Sequence, residues 1–130
     1  MKFLCLIRAE KMMEQMPPDV ADRTYADYRA FTESISRSGN YVGGNRLLPP
    51  ATAATVRVRE GKVSITDGPF AETKEQLGGY YLIDARDLDE AVRIAARIPG
   101  AWVGSVEVRP VAEDTRSVDI LDFATSDAAR

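Results

Sequence analysis

The spacing of apolar side chains predicts two helices that each bury one face. Between residues 19 and 38, apolar side chains recur every three or four positions, and Gly39 then ends the helix. A second helix is predicted after Asp87 or Asp89, either of which can cap it, and Pro99-Gly100 is expected to end it. The predicted buried stripes are Tyr25, Tyr28, Phe31 and Ile35 in the first helix and Leu88, Ala91, Val92, Ala95 and Ala96 in the second.

Four segments have the apolar content of sheet strands. The first and third are apolar on successive residues, which predicts strands that are covered on both faces. The second contains Gly43 and Gly44, which suit a bulge or a backbone that another segment approaches closely. The four predicted strands are residues 2–7, 41–47, 80–83 and 105–111.

The stretch between the second and third of these strands is predicted to hold a hairpin. Residues 55–59 and 62–66 alternate apolar and polar positions on either side of a tight turn at Glu60-Gly61, which gives the hairpin one apolar face. Further along, Thr73 and Gln76 have the spacing of a capping box, so a short helix is expected there. The apolar face of the hairpin consists of Val56, Val58, Val63 and Ile65.

Without the hairpin, the order of elements is strand, helix, strand, strand, helix, strand. This α+β order predicts a ferredoxin-like βαββαβ domain over residues 1–111 with an inserted β-hairpin. Two helices cover only one face of the sheet, so the apolar strands predict a homodimer in which a second subunit covers the other face. Residues 112–130 form an acidic tail, whose apolar segment at residues 120–123 either docks on the partner or frays.

Composition and charge exclude several classes of protein. The chain has 130 residues, of which 45% are hydrophobic and 28% charged, as expected for one folded domain. Its net charge of -3, with the signs well mixed, disfavours nucleic acid and anionic membranes as partners. The longest apolar run, residues 3–7, is far too short to span a bilayer, and we expect a cytoplasmic location.

The reactive side chains available to the protein are limited. The chain has no histidine, which removes Ser-His-Asp and Cys-His catalysis and every imidazole metal site. Cys5 is the only cysteine and lies within an apolar run, so strand packing is favoured over a reactive thiol. No carboxylate pair has evident metal-ligand spacing. Neither a metal nor another cofactor is therefore predicted.

The segment Asp67-Gly68-Pro69-Phe70 is the main candidate for chemistry. Asp, Gly and Pro are typical turn residues, and in a purely structural role Asp67 would accept hydrogen bonds from nearby backbone N–H groups. Alternatively, the turn holds the Asp67 carboxylate beside a pocket, where it can accept a proton or orient a polar ligand. The residues alone leave both interpretations open.

Other side chains near these elements have a functional and a structural interpretation. Arg46 could pair with Asp67 or bind an anionic group, or form a surface salt bridge. Glu72 and Lys74 flank the predicted short turn and would ordinarily form a solvated face. Tyr28 lies on the apolar helix stripe, where core packing is favoured, although an adjacent arginine could lower its pKa and make it a proton donor or acceptor.

Residues 49–57 and 66–81 resemble, in order and spacing, the central signature of the DGPF branch of the YCII-related family. Residues 95–100 and 105–111 are similar to the family's closing helix and strand, so the resemblance covers nearly all of residues 1–111. It implies a ferredoxin-like domain that forms a dimeric α/β barrel. Members of this branch are often encoded beside extracytoplasmic-function sigma factors, which makes a sigma factor a candidate partner.

The resemblance also implies where a site would lie. Shorter relatives carry a histidine on the first helix together with an aspartate, as a proposed acid/base pair, and the histidine position falls at Tyr28. Asp67 and Tyr28 are accordingly the candidate catalytic residues. The candidate ligand-binding residues are Arg46, Gly68, Pro69, Phe70, Glu72 and Lys74.

Three hypotheses about function follow. The first is a small-molecule-binding protein or an enzyme, such as a lyase, an isomerase or a hydrolase, with a pocket near Asp67. The second is a non-catalytic regulatory module that contacts a sigma factor. The third is RNA binding, since the ferredoxin-like order occurs in RNA-recognition domains, but Gly78 stands where a basic residue is needed and the net charge is negative.

Overall fold

The computed structural model describes residues 1–113 of the protein, so the predicted docking of residues 120–123 lies outside the described residues. These residues form six strands and three α-helices, with short 3₁₀ turns at Met13–Gln15 and Pro50–Thr52. The strands are β1 Lys2–Ala9, β2 Tyr41–Arg46, β3 Ala54–Arg59, β4 Lys62–Asp67, β5 Gln76–Asp84 and β6 Ser105–Pro110, and the helices are α1 Pro18–Arg37, α2 Leu88–Ala95 and α3 Gly100–Val103.

Four of the strands form one antiparallel sheet in the order β2-β5-β1-β6, and β3 and β4 form a separate two-stranded sheet. With the hairpin set aside, this is the ferredoxin-like arrangement, in which the first and third core strands lie in the middle. The predicted fold class and the inserted hairpin are therefore confirmed. The dimeric barrel stays a prediction.

The central strand β1 shows how the sheet divides the molecule. Phe3, Cys5 and Ile7 point to the helices and are buried, whereas the alternate residues Leu4 and Leu6 point to the opposite face and are partly exposed. Among the described residues, helices cover only one face of the sheet. The core on that face consists of Phe3, Cys5, Ile7, Phe31, Ile35, Tyr81, Ile83, Ala85, Ala91, Ile94, Ala95 and Ile98.

Helix α1 follows the predicted stripe over most of its length. Phe31 and Ile35 are buried and Tyr28 packs against the same core, but Tyr25 is exposed. The prediction that Tyr25 belongs to the buried face is wrong, because nothing in residues 1–113 packs over it.

Helix α2 uses a different face from the predicted one. Asp87 is the cap, and its carboxylate accepts the Glu90 backbone N–H at 2.9 Å. Ala91, Ala95 and Ile94 are buried, but the predicted core residues Leu88 and Val92 are each 49% exposed and Ala96 is also exposed. Ile94 and Ile98 supply the larger buried side chains, which turns the helix away from the predicted stripe. Pro99-Gly100 lies at the start of α3 instead of closing α2 directly.

The two glycines of β2 have the predicted structural roles. The register with β5 shifts between Tyr41 and Gly43, which is the expected bulge. A Cβ atom on Gly44 would lie 2.8 Å from the Tyr80 carbonyl oxygen, so the backbones of β2 and β5 approach closely there. The close approach requires a glycine at residue 44, whereas at Gly43 a Cβ atom would meet nothing within 4 Å.

We call the hairpin of residues 54–67 the arm. Its register pairs Val56 with Ile65 and Val58 with Val63, and the predicted turn at Glu60-Gly61 has positive φ angles of 53° and 76°. The apolar face of the arm is therefore continuous, as the alternation predicted. These four apolar side chains are 55–67% exposed, so nothing in residues 1–113 covers them.

The loop between the arm and β5 contains no helix, so the predicted short helix after Thr73 is wrong. Thr73 and Gln76 do interact, since the Gln76 side-chain amide donates to the Thr73 hydroxyl at 3.1 Å. However, β5 begins at Gln76 and takes its backbone into the sheet. Among residues 1–113 there is also no helix that is long and apolar enough to cross a membrane.

Candidate functional site

The turn at residues 67–70 is held by Thr55 of the arm and by Ala53, which directly precedes the arm. The Gly68 N–H donates to the Ala53 carbonyl at 2.7 Å, and the Thr55 hydroxyl donates to the Gly68 carbonyl at 2.9 Å. Gly68 has a φ of 104°, which favours glycine. The turn is thus fixed by backbone groups and one hydroxyl, without the Asp67 side chain.

The Asp67 carboxylate is exposed, and no residue among 1–113 donates a hydrogen bond to it or forms an ion pair with it. It lines an open cavity of about 400 Å³, and the Glu72 carboxylate, which is likewise unpaired within the described residues, lines the same cavity. Asp67 is therefore available to an external partner, which the structural interpretation of the turn did not anticipate. Gly68 and Pro69 line this cavity too.

A second open cavity, of about 310 Å³, adjoins the first, because Pro50, Pro69 and Gln76 line both. We call the two together the turn groove. One end of the groove is acidic, with Asp67 and Glu72, and the other end is mainly apolar. The residues at the apolar end are Leu47, Leu48, Leu77, Thr52 and Ala53.

Gln76 shapes the wall of the groove. Its side-chain amide donates to the carbonyls of Ala71 at 3.0 Å and Thr73 at 2.7 Å, which ties the loop that carries Glu72 to the start of β5. The Glu75 carboxylate accepts the Ser105 hydroxyl at 2.7 Å and ties the same loop to β6. These contacts hold the loop beside the turn.

Phe70 and Lys74 do not line the groove. Phe70 is 82% exposed, and the guanidinium of Arg57 lies 5.9 Å from the centre of its ring, within reach of a cation-π contact. Lys74 forms an exposed ion pair with Glu10 at 3.4 Å, which adds little stability.

Arg46 pairs with Glu14 at the surface, not with Asp67. The pKa of Glu14 is lowered, first by a hydrogen bond from its own backbone N–H and second by this arginine. The surface salt bridge that the sequence suggested for Arg46 is therefore present.

Tyr28 lies on the helix side of the sheet, where its hydroxyl oxygen accepts a hydrogen bond from the backbone N–H of Gly100. Burial raises its pKa to about 12, against the opposing effect of that hydrogen bond. At neutral pH the phenol is therefore protonated and is a poor base. Neither Tyr28 nor Arg46 lines the turn groove, so the structure does not bring them together with Asp67 there.

Cys5 is fully buried in the core, and this burial raises the pKa of its thiol to about 11. It packs as a small apolar residue, in keeping with the sequence interpretation. Within residues 1–113 there is no group of three or more His, Cys, Asp or Glu residues that could hold a metal ion.

Several residues of the groove could not be found from the sequence. Leu47 ends the predicted strand 41–47, Leu48 follows it directly, and Leu77 follows the capping-box residues Thr73 to Gln76. The backbone bond between Gly68 and Ala53 brings these distant segments together. The signals in the sequence were the pair of prolines at 49–50, which stops the strand and redirects the chain, and the family signature, which includes Leu77.

The fold and the groove define a class: a ferredoxin-like domain with an inserted arm and an open cavity at the base of that arm. A family model for the YCII-related domain matches residues 1–115. The chain therefore belongs to the YCII-related family, as the motif around Asp67 indicated.

Two relatives illustrate the range of this similarity. An uncharacterized protein of Rhizobium meliloti (strain 1021) is 44% identical over 93 residues, which cover 70% of this chain and 75% of that protein. Among solved structures, 5-chloro-2-hydroxyhydroquinone dehydrochlorinase of Burkholderia phenoliruptrix AC1100, in complex with 2,5-dihydroxybenzoquinone, is similar with a TM-score of 0.50. It is 15% identical, and the match covers 91% of this chain and 100% of that chain. At 15% sequence identity, this similarity shows a shared fold only.

Proposed function

We propose that this protein binds a small organic molecule in the turn groove. The observation that supports the proposal is the Asp67 carboxylate, which lines the groove and is not used by its own turn. A carboxylate placed beside a cavity by a rigid turn is a typical means of orienting a ligand. The two adjoining cavities, of about 310 and 400 Å³, are each within the size range of small-molecule sites.

The two ends of the groove favour a ligand with an apolar body and a polar group that donates hydrogen bonds. Asp67 and Glu72 accept hydrogen bonds only, when ionised, so the facing group is a hydroxyl or an ammonium. Leu47, Leu48 and Leu77 offer an apolar surface to a ring or a short hydrocarbon chain. An anionic ligand would be repelled by the two carboxylates.

Hydroxylated rings belong to this class of ligand. The structurally similar dehydrochlorinase is named for a hydroxylated aromatic substrate and is in complex with a dihydroxybenzoquinone. That protein has a similar fold, and its ligand suggests hydroxylated rings as test compounds.

If the ligand reacts, Asp67 and Glu72 would carry the chemical step, because they are the two groups lining the groove that can exchange a proton. The catalytic role of Tyr28 stays a prediction, as does the sigma-factor partner.

The proposal is tested by titrating the full-length protein with ring compounds of similar size and different charge: benzylamine, hydroquinone and benzoate. Binding is measured by calorimetry and by thermal shift. We expect benzylamine and hydroquinone to bind and benzoate not to bind. Asp67→Asn should weaken benzylamine binding by roughly 10- to 100-fold, because a charge-assisted hydrogen bond is lost.

The matched control is Asp27→Asn, which removes an exposed carboxylate from helix α1. Equal weakening in the Asp67 and Asp27 variants would mean that net charge, not the groove, governs binding. No saturable binding of any of the three compounds, or preferred binding of benzoate, would contradict the proposal.

A further inference from the structure

We infer that residues 119–123 of this chain, which we call the tail segment, pack on an exposed apolar patch of its own helices α2 and α3. We call this surface the helix patch. It lies on the side of the helices turned away from the core, apart from both the arm and the turn groove. The patch consists of Leu88, Val92, Trp102 and Val103, which are 49%, 49%, 63% and 75% exposed among residues 1–113.

The residues of the helix patch adjoin one another. Leu88 and Val92 are four residues apart on α2 and are therefore neighbours on its surface. The indole N–H of Trp102 donates to the Ala96 carbonyl at 3.1 Å, which fixes the ring beside the last turn of α2. With its one polar group satisfied, the ring leaves on the order of 150 Å² in water. An exposed tryptophan within an apolar patch is typical of an interaction surface.

The described part of the chain ends near the start of α2. The Val111 N–H donates to the Lys2 carbonyl at 2.9 Å, and the Glu113 carboxylate accepts the Lys2 N–H at 3.0 Å. The Ala85 N–H donates to the Met1 carbonyl at 2.8 Å, so the segment that leads into α2 lies at the same end of β1. Helix α2 begins three residues further on.

The tail segment can therefore reach the helix patch of the same chain. Lys2 pairs with Asp84 across β1 and β5, and the four residues from Asp84 to the start of α2 span at most about 14 Å. The connecting residues 114–118 can span about 17 Å, and α2 itself is about 12 Å long. Such a tether gives the segment an effective concentration on the order of 1 mM at the patch, which favours it over a free partner.

The chemistry of the tail segment matches the patch. It has three large apolar side chains and two carboxylates, in the order Asp119-Ile120-Leu121-Asp122-Phe123. Arg93 follows Val92 on α2, and its exposed guanidinium has no ion pair or hydrogen bond among residues 1–113. The acidic residues of α2 lie in its first turn, so the carboxylates of the segment are favoured at the other end, near Arg93.

Trp102 itself provides the test, because it is the only tryptophan of the chain. With the patch uncovered, its ring is mostly exposed and acrylamide should quench its fluorescence efficiently. We expect the full chain to show blue-shifted emission and weak quenching. Leu121→Asp should shift the emission to the red and raise the quenching constant roughly 3-fold, because a charge in an apolar contact is costly.

The matched control is Ser126→Asp, which adds the same charge to the tail three residues beyond the segment and should leave quenching unchanged. Both substitutions lie outside residues 1–113, so the domain itself is not altered. A charge exchange tests the orientation of the segment. Arg93→Glu should raise quenching, and adding Asp122→Arg to that variant should lower it again.

Several results would overturn the inference. One is quenching of Trp102 in the full chain that is as strong as in Leu121→Asp. Another is strong protection that Leu121→Asp leaves intact, since the cover would then come from elsewhere. Quenching that weakens as the protein concentration rises from about 1 to about 100 µM would also contradict it, because a separate molecule would then cover the patch.

Discussion

The core sheet and the arm are built from the same alternation of apolar and polar residues, yet only the core buries its apolar face. In β5, Tyr81 and Ile83 lie under the helices and are buried. In the arm, Ile65 and Val63 occupy equivalent alternate positions and lie in water. The difference shows that an alternating pattern predicts a strand and its apolar face, but not what covers that face.

The largest expected contrast comes from one substitution made in both regions. Ile83→Ala should lower the free energy of unfolding by about 3 kcal/mol, because it leaves a cavity in the fully buried core. Ile65→Ala should cost less than about 1 kcal/mol in dilute protein, since its side chain is already exposed there. Urea unfolding at low and high protein concentration measures both. If the two variants were equally destabilised in dilute protein, the arm would be part of the core.

Alkaline pH should act on the core through groups that the arm lacks. Burial raises the pKa of Cys5 to about 11 and that of Tyr28 to about 12, so both stay protonated in the folded protein while they ionise in the unfolded chain. These two groups should therefore leave stability unchanged below about pH 8 and lower it between about pH 9 and 12, with Cys5 contributing about 3 kcal/mol.

Denaturation curves across this pH range measure the effect, and Cys5→Ala should remove the lower part of it. A free energy of unfolding that rises above pH 9 would contradict the assignment.

Two aspartates sharpen the comparison further. The Asp87 carboxylate caps α2, so Asp87→Ala should cost about 1 kcal/mol. The Asp67 carboxylate at the base of the arm has no partner among residues 1–113, so Asp67→Ala should change stability by less than about 0.5 kcal/mol. Thermal unfolding of the two variants decides this. A large loss for Asp67→Ala would mean that its carboxylate supports the turn after all.

Much of the fold could be predicted because its signals are local. The period of the apolar residues gave the strands and helices, and the turn residues Glu60-Gly61 fixed the register of the arm. The errors arose where tertiary packing decides. Tyr25 repeats the helical stripe without a surface to pack on, and α2 buries Ala91, Ile94 and Ala95 instead of Leu88 and Val92.

The site was predicted only in part, for a similar reason. Asp67, Gly68, Pro69 and Glu72 do line one cavity, which the turn chemistry and the motif could suggest. Whether Tyr28 and Arg46 lie near Asp67 depends on the side of the sheet on which each element packs, and the sequence does not show that side. In the structure Tyr28 faces Gly100 and Arg46 faces Glu14.

The most direct test of the central claim, that the turn groove binds a small molecule, is an NMR titration of the full-length protein with benzylamine. The account predicts saturable amide shifts centred on the residues that line the groove, among them Leu48, Thr52, Gly68 and Gln76. In Asp67→Asn the affinity should fall by about 10-fold or more, and in Asp27→Asn it should not change. Shifts centred elsewhere in the protein, or an affinity that Asp67→Asn leaves unchanged, would contradict it.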